Sequence, residues 1–286
     1  MKTVLVTGAS KGIGRAVCKY LVEKEYNVFG SVRKNQEGQL LKSQLGAKFI
    51  PLNFDVTKPE QVDASKKIIS DYLNGHTLTA LINNAGIATM GPIQYLNVEK
   101  FKSQIDVKLI GSLICTQAFL PFLGTNKKNN GPKGRIINIS SILGGKIGVP
   151  FLSAYCASKH ALEGFSESLR RELIIHGIKV VIVAPGTVET PLWDIVSDEK
   201  KEQSYQNTEY RLSFEKSLSS LNTVNKKTLP MQKLCKVIQT AIETKNPKVR
   251  YSVTADPFQK IWHLIPKRIV DKLFQIGYGI KRSDIN

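Results

Sequence analysis

At 286 residues the chain is long enough for one or two domains with a large core, and 42% hydrophobic against 22% charged residues excludes a disordered or fibrous chain. The formal net charge is +18 at pH 7, and from Lys200 onward 17 Lys and Arg stand against 7 Asp and Glu, so the last third holds over half of the excess. Such a balance suits an anionic partner, whether a phosphorylated cofactor, an acidic membrane surface or nucleic acid.

Met1 and Lys2 run straight into a short strand with no visible signal peptide, and no apolar run approaches the ~18 residues of a membrane span. Cys18, Cys115, Cys156 and Cys235 are scattered without metal-ligand spacing, which reads as reduced thiols in a cytoplasmic protein. His76, His160, His176 and His263 show no metal spacing either.

Thr3-Val4-Leu5-Val6 is a β-branched apolar run, followed by Thr7-Gly8-Ala9-Ser10-Lys11-Gly12-Ile13-Gly14 and then a helical pattern with Ala16, Val17, Tyr20 and Leu21. In a strand, glycine loop and helix of this kind the backbone can approach a pyrophosphate, and the helix N-terminus offers it free N–H groups. Residues 28–33 are predicted as a second strand and 47–52 as a third, leading into Asn53-Phe54-Asp55-Val56. A helix over 59–73 precedes a fourth strand, 78–82, which ends in Asn83-Asn84-Ala85-Gly86. Strands alternating with helices at this spacing imply right-handed crossovers and a parallel sheet, whose sites gather at the strand C-terminal ends. The glycine loop, Arg33, Asp55 and Asn83 all fall there.

A long helix over 99–123 carries Phe101, Ile105, Leu109, Ile110, Leu113 and Phe119, and a fifth strand over 134–141 ends on Ser140 and Ser141. A helix from Tyr155 to about His176 leads to a sixth strand, 178–184, closed by Pro185-Gly186-Thr187-Val188-Glu189-Thr190. Residues 191–228 read as a polar, irregular and mobile insertion on the substrate side, 229–244 as a helix and 248–253 as a last strand. The organisation expected is one catalytic domain over residues 1–255 with a basic amphipathic tail over 256–286.

Tyr155 and Lys159 stand four apart in Tyr155-Cys156-Ala157-Ser158-Lys159, so a helix puts both side chains on one face. A phenol with its ordinary pKa of about 10 is a poor acid or base at neutral pH, and an ammonium beside it is expected to lower that value. The pair then suits proton transfer to a carbonyl oxygen or from an alcohol. A second copy, Tyr20 and Lys24, follows the glycine loop and is read as accidental. Cys156 is read as a packing residue.

Together these motifs resemble the short-chain dehydrogenase/reductase family in its compact form, over roughly residues 1–255. The matching pieces are Thr7-Gly8-x-x-x-Gly12-Ile13-Gly14, Asp55-Val56, Asn83-Asn84-Ala85-Gly86, a serine at the end of strand five, Tyr155-x-x-x-Lys159, and Pro185-Gly186 with Thr190. The resemblance implies a Rossmann-type, doubly wound α/β fold with a parallel sheet of about seven strands and helices on both faces. It implies Tyr155 as general acid/base, Lys159 on the nicotinamide ribose, a strand-five serine on the substrate oxygen, Asp55 at the adenine, Asn83 and Gly86 on the adenosine side, and Val188 with Thr190 at the nicotinamide amide. The glycine-loop contacts that the resemblance implies fall on Gly8, Ser10, Lys11, Gly12, Ile13 and Gly14, and the matching strand ends add Val56, Ala85, Pro185 and Gly186.

The sequence departs from the family in one place and leaves a choice in another. Anchored on Gly111, Lys108 occupies the position of the family's usual Asn, where it either faces Lys159 or is solvated. Ser140 and Ser141 compete for the catalytic role, and Ser141, at the strand end, is preferred.

The expected activity is that of an NADP(H)-dependent oxidoreductase interconverting a carbonyl and an alcohol on a small apolar substrate resembling a lipid, steroid or retinoid. The alternative is a non-catalytic NADP(H)-binding sensor. Val32 stands where NAD-preferring folds carry an acidic residue, and Arg33 with Lys11 can hold the extra 2′-phosphate. Trp193, Tyr205, Tyr210, Phe214 and Phe258 suggest an apolar lid. Phe258, Ile261, Trp262 and Ile265, and then Ile269, Val270, Leu273 and Phe274, suggest a tail helix that either packs on protein or lies on a membrane. Homo-oligomerisation is expected through the 99–123 and 153–176 helices. No recognition motif supports nucleic-acid binding.

Overall fold

The computed structural model describes residues 2–145, 147–188, 205–224, 228–255 and 264–280. Thr190, Trp193, Phe258, Lys260, Ile261, Trp262 and His263 lie outside the described residues.

The strands are β1 (Thr3–Val6), β2 (Asn27–Val32), β3 (Phe49–Asn53), β4 (Ala80–Asn83), β5 (Arg135–Ile139), β6 (Lys179–Pro185) and β7 (Arg250–Val253). They form one parallel sheet in the order β3-β2-β1-β4-β5-β6-β7, so the chain reverses direction across the sheet between β1 and β4. The Rossmann-type α/β arrangement expected from the sequence is the one observed. Because both faces are covered, every residue of the central strands β1 and β4 is buried, whereas the edge strand β7 is mostly not.

The helices are α1 (Gly12–Glu23), α2 (Asn35–Leu45), α3 (Pro59–Leu73), α4 (Val98–Ile105), α5 (Gly111–Phe119), α6 (Ser153–Glu172), α7 (Arg211–Val224), α8 (Met231–Glu243) and α9 (Lys267–Tyr278). One face of the sheet packs on α1 and α8 through Val17, Leu21, Leu234 and Ile238. The other packs on α3, α5 and α6 through Ile69, Cys115, Phe119 and Leu169. All four cysteines are free and buried.

Three elements depart from the sequence expectation, the first being α2, which lies where no element is expected. Residues 211–224, expected to be irregular, form α7, with Phe214 and Leu218 buried at i, i+4. The run from 98 to 123 is not one α-helix: Asp106–Ile110 is a π-helical turn between α4 and α5. By length and composition Val98–Leu123 also passes as a membrane span, with a mean hydropathy of 1.4, contrary to the reading that no run comes near one. In the fold one face of it is buried, Cys115, Phe119 and Leu123 under the sheet and Gln104 and Lys108 beside α6.

Candidate active site

A cavity of about 540 Å³ opens at the C-terminal ends of the strands, where the chain's reversal at β1 and β4 leaves a crevice. Its first wall is the loop from β1 to α1. Gly8 has φ +68, and a Cβ there would lie 2.8 Å from the Ala85 main chain, so only glycine fits. Thr7 and Asn84 tie this loop to the end of β4. Thr7 Oγ1 accepts from the backbone N–H of Asn84 and of Ala85, both at 3.0 Å, and Asn84 Nδ2 donates to Thr7 O at 2.9 Å. Ser10, Lys11, Gly12 and Ile13 line the cavity at the start of α1, whose first turn has no side-chain cap and no acidic residue. Arg33, Asp55, Val56, Ala85, Gly86, Pro185, Gly186 and Val188 line it as well.

Asn83, expected on the cofactor side, is instead part of the core. Its Nδ2 donates to Asn138 Oδ1 at 2.9 Å and to Thr116 Oγ1 at 3.3 Å, while Asn84 faces the cavity. Side chains alternate along a strand, so a one-residue choice at the end of β4 decides between core and cavity.

Tyr155 and Lys159 lie on one face of α6, both buried, with the Lys159 Nζ 5.6 Å from the centre of the Tyr155 ring. Lys159 Nζ donates to Ile139 O at 2.9 Å and to Ser140 O at 2.8 Å, the two carbonyls at the end of β5. The two serines separate cleanly. Ser141 hydrogen-bonds Tyr155, whereas Ser140 Oγ donates to Glu163 Oε1 at 2.7 Å. Glu163 in turn accepts from Arg250 Nε at 3.0 Å, and the same guanidinium donates to Ser141 O at 3.2 Å. An ion pair between α6 and β7 therefore braces the serine that meets the tyrosine, a link no local sequence pattern signals.

Lys108 points inward from the π turn and is buried. Its Nζ donates to Asn84 O at 3.1 Å and hydrogen-bonds Lys159, and it fills the space beside Gly86, where a Cβ has no room. Burial lowers the Lys108 pKa to about 8. Burial, and then the neighbouring Lys108, pull Lys159 well below the ordinary lysine range, with Glu163 opposing. Two ammonium groups in contact in a dry pocket repel each other, which adds to the effect of burial on Lys159. The expectation of a lowered Tyr155 pKa is reversed. Burial pushes it up to about 12 against the opposing hydrogen bond from Ser141.

The remaining wall is apolar and comes from later in the chain. Val149 and Leu152 precede α6, Ser220 comes from α7, and Phe274 and Tyr278 come from α9. Behind Tyr155, Phe151, Tyr205 and Phe214 stack edge to face, with Phe214 5.1 Å from Tyr205 and 5.5 Å from Phe151. Of the aromatic lid expected from the sequence, Tyr205, Tyr210 and Phe214 thus form a cluster beside the cavity, and Trp193 and Phe258 lie outside the described residues.

The order of these parts along the chain is matched by the family model for short chain dehydrogenase, over residues 2–201. The chain belongs to the short-chain dehydrogenase family. It is 35% identical over 276 residues to an NADPH-dependent 3-dehydrocapnine reductase of Ornithobacterium rhinotracheale, covering 96% of each protein. It is 30% identical over 292 residues to retinol dehydrogenase 16 of Rattus norvegicus, covering 96% of this chain and 87% of the relative. The fold is shared with a short-chain dehydrogenase from Streptomyces avermitilis, at a TM-score of 0.76 and 24% identity over 98% of both chains. It is shared equally with a family member from Burkholderia phymatum in complex with NAD, at a TM-score of 0.76 and 21% identity over 95% of both chains. Membership of this family makes the chain a carbonyl/alcohol oxidoreductase that works with a nicotinamide dinucleotide.

Proposed function

We propose that the protein is an NADP(H)-dependent reductase of an apolar carbonyl compound, with Tyr155 as the proton donor. The observation that carries this reading is the Tyr155 hydroxyl, buried with Ser141 at the bottom of an apolar cavity and kept protonated by its surroundings. The names of the relatives, a reductase dependent on NADPH and a retinol dehydrogenase, support the same cofactor and an apolar substrate.

The residues present suit the dinucleotide. The uncapped first turn of α1, with Gly8, Ser10, Gly12 and Ile13 around it, suits the pyrophosphate, while Gly14 packs against the Gly8 carbonyl and Asn84 rather than lining the cavity. Arg33 and Lys11, exposed at the cavity edge, suit a 2′-phosphate, and Val32 before Arg33 offers it no repulsion. Asp55 and Val56 would flank the adenine, Ala85 and Gly86 the adenosine side, Lys159 and Tyr155 the nicotinamide ribose, and Pro185, Gly186 and Val188 the nicotinamide. When bound, the cofactor supplies the hydride to the carbonyl carbon.

Ser141 donates a hydrogen bond to the carbonyl oxygen and holds it against Tyr155. Tyr155 gives its proton to that oxygen as negative charge develops there, and the dry pocket strengthens both interactions. Lys159 steadies the resulting phenolate and Lys108 returns a proton towards it, so the two amines act as one relay. Val149, Leu152, Phe274 and Tyr278 exclude water and select an apolar substrate. Ile110, Ile174 and Ile175, exposed on the 99–123 helix and at the end of α6, support pairing with a second copy of the chain through those helices.

The test is oxidation of NADPH by the purified protein with a panel of apolar ketones, aldehydes and sterols. Turnover of an apolar carbonyl, with NADPH favoured over NADH by about tenfold or more, is the expected result. A protein that binds NADPH and oxidises it with no carbonyl on the panel would instead be a dinucleotide sensor.

A further inference from the structure

Helix α9 carries two apolar rows that face in different directions. Val270, Phe274 and Tyr278 stand at i, i+4 and i+8. Val270 is buried, and Phe274 and Tyr278 line the catalytic cavity. Ile269, Leu273 and Ile276 stand at i, i+4 and i+7, within about 60° of arc at 100° per residue, and they point away from the cavity. Their exposures are 50%, 45% and 79%, and Leu264, just before the helix, adds another at 71%. Single exposed apolar residues are ordinary, but an aligned outer row on a helix that is already anchored by its inner row is not.

The charges are arranged around this row. Arg268 and Lys272 are exposed and border one edge of it, while Asp271, the one acid in the helix, lies on the far side. We propose that α9 docks on an anionic lipid bilayer, with Leu264, Ile269, Leu273 and Ile276 among the acyl chains and Arg268 and Lys272 on the headgroups, so that the cavity takes its substrate from the membrane surface. The apolar substrate is that of the function proposed above, whereas the docking itself stands on α9 alone. A helix with an apolar face and a cationic edge lies in the interface with that face about 5–10 Å deep, which leaves the Phe274 and Tyr278 side turned towards the protein. A bilayer fits this face better than a second copy of the chain, because two such faces would bring their cationic edges and the basic last third of each chain together.

The experiment is vesicle flotation of the full chain with NADPH bound, using phosphatidylcholine vesicles with and without phosphatidylserine. The expected result is flotation with the anionic vesicles that weakens in high salt and with neutral vesicles. The double variant Leu273→Glu/Ile276→Glu should reduce it by more than about tenfold. Arg268→Gln/Lys272→Gln should reduce it by roughly fivefold per cation removed. Both variants should bind NADPH and turn over a small water-soluble carbonyl as the unmodified protein does, since none of these side chains lines the cavity. Absence of flotation by the unmodified protein, or equal flotation of protein and variants, would overturn the proposal. So would variants that turn a dimer into a monomer by light scattering without changing flotation, since the row would then be an interface between copies. Flotation that depends on α9 in a protein lacking any carbonyl turnover would leave the docking standing and remove the reductase reading.

Discussion

One wall of the cavity is main chain and the other is side chain. At the glycine loop and the ends of β1 and β4, the surface is made of backbone held by Thr7 and Asn84, and Gly8 fits because it has no Cβ. Opposite it, Leu152 from the turn before α6, Ser220 from α7, and Phe274 and Tyr278 from α9 form a surface of side chains. A backbone wall recognises what all dinucleotides share. A wall of exchangeable side chains decides which substrate enters, and it can change without disturbing the first.

That division predicts separable effects. The largest belongs to the seam between the walls. Tyr155→Phe should lower turnover by at least ~10², with NADPH affinity retained in a fluorescence titration. Turnover near that of the unmodified protein would remove Tyr155 from the chemistry. On the backbone side, Arg33→Ala should weaken NADPH binding about tenfold or more and leave NADH binding almost unchanged, since a charge-assisted bond is worth roughly 1.5–3 kcal/mol. Equal losses for both cofactors would erase the assignment to the 2′-phosphate. On the side-chain wall, Phe274→Ala should raise KM severalfold for bulky apolar carbonyls and leave both cofactor affinities alone. A change in NADPH affinity would mean that the walls are not independent.

The smallest effect concerns the second buried lysine. The Lys108 pKa in the folded protein is about 8, below its ordinary value of 10.5, so the unfolded chain binds more protons between the two and stability must rise with pH across that window. The burden of the buried ammonium is complete below pH 8 and absent above 10.5. Lys108→Met should therefore gain a few degrees of melting temperature relative to the unmodified protein at about pH 7, and the gap should close towards about pH 10. A gap independent of pH would mean that the fold does not lower the Lys108 pKa.

The same contrast governs what can be read from the sequence. The backbone wall is legible, because a glycine with positive φ and a β-branched strand leave marks at fixed spacing. Asn83 and Asn84 are easily exchanged, since neighbouring residues of a strand point to opposite faces and the motif does not show where β4 stops. Helix α2 leaves little trace: only Gly38 and Leu41 are buried along it, and Gly38 is required there by the close approach of Pro51. Helix α7 leaves a weak mark, because Phe214, Leu218 and Leu221 stand at i, i+4 and i+7 but in a stretch rich in Ser and Asn, and the partners Phe151 and Tyr205 arrive from elsewhere. The position of Lys108 in the site is legible as an alternative, but the direction of the Tyr155 shift is not. The sign depends on how dry the pocket is, and no residue pattern states that.

The strand order has a consequence for how the protein is made. Synthesis is vectorial, at about 5–20 residues per second, and the N-terminal parts emerge first. The glycine loop leaves the ribosome well before Tyr155 and Lys159, and Phe274 and Tyr278 come more than a hundred residues after Lys159. For several seconds a nascent chain can hold its nucleotide wall while the apolar side of the pocket stands open. A chain released early would carry that opening permanently, as a sticky surface rather than a weakened enzyme, and quality control would meet it as a client.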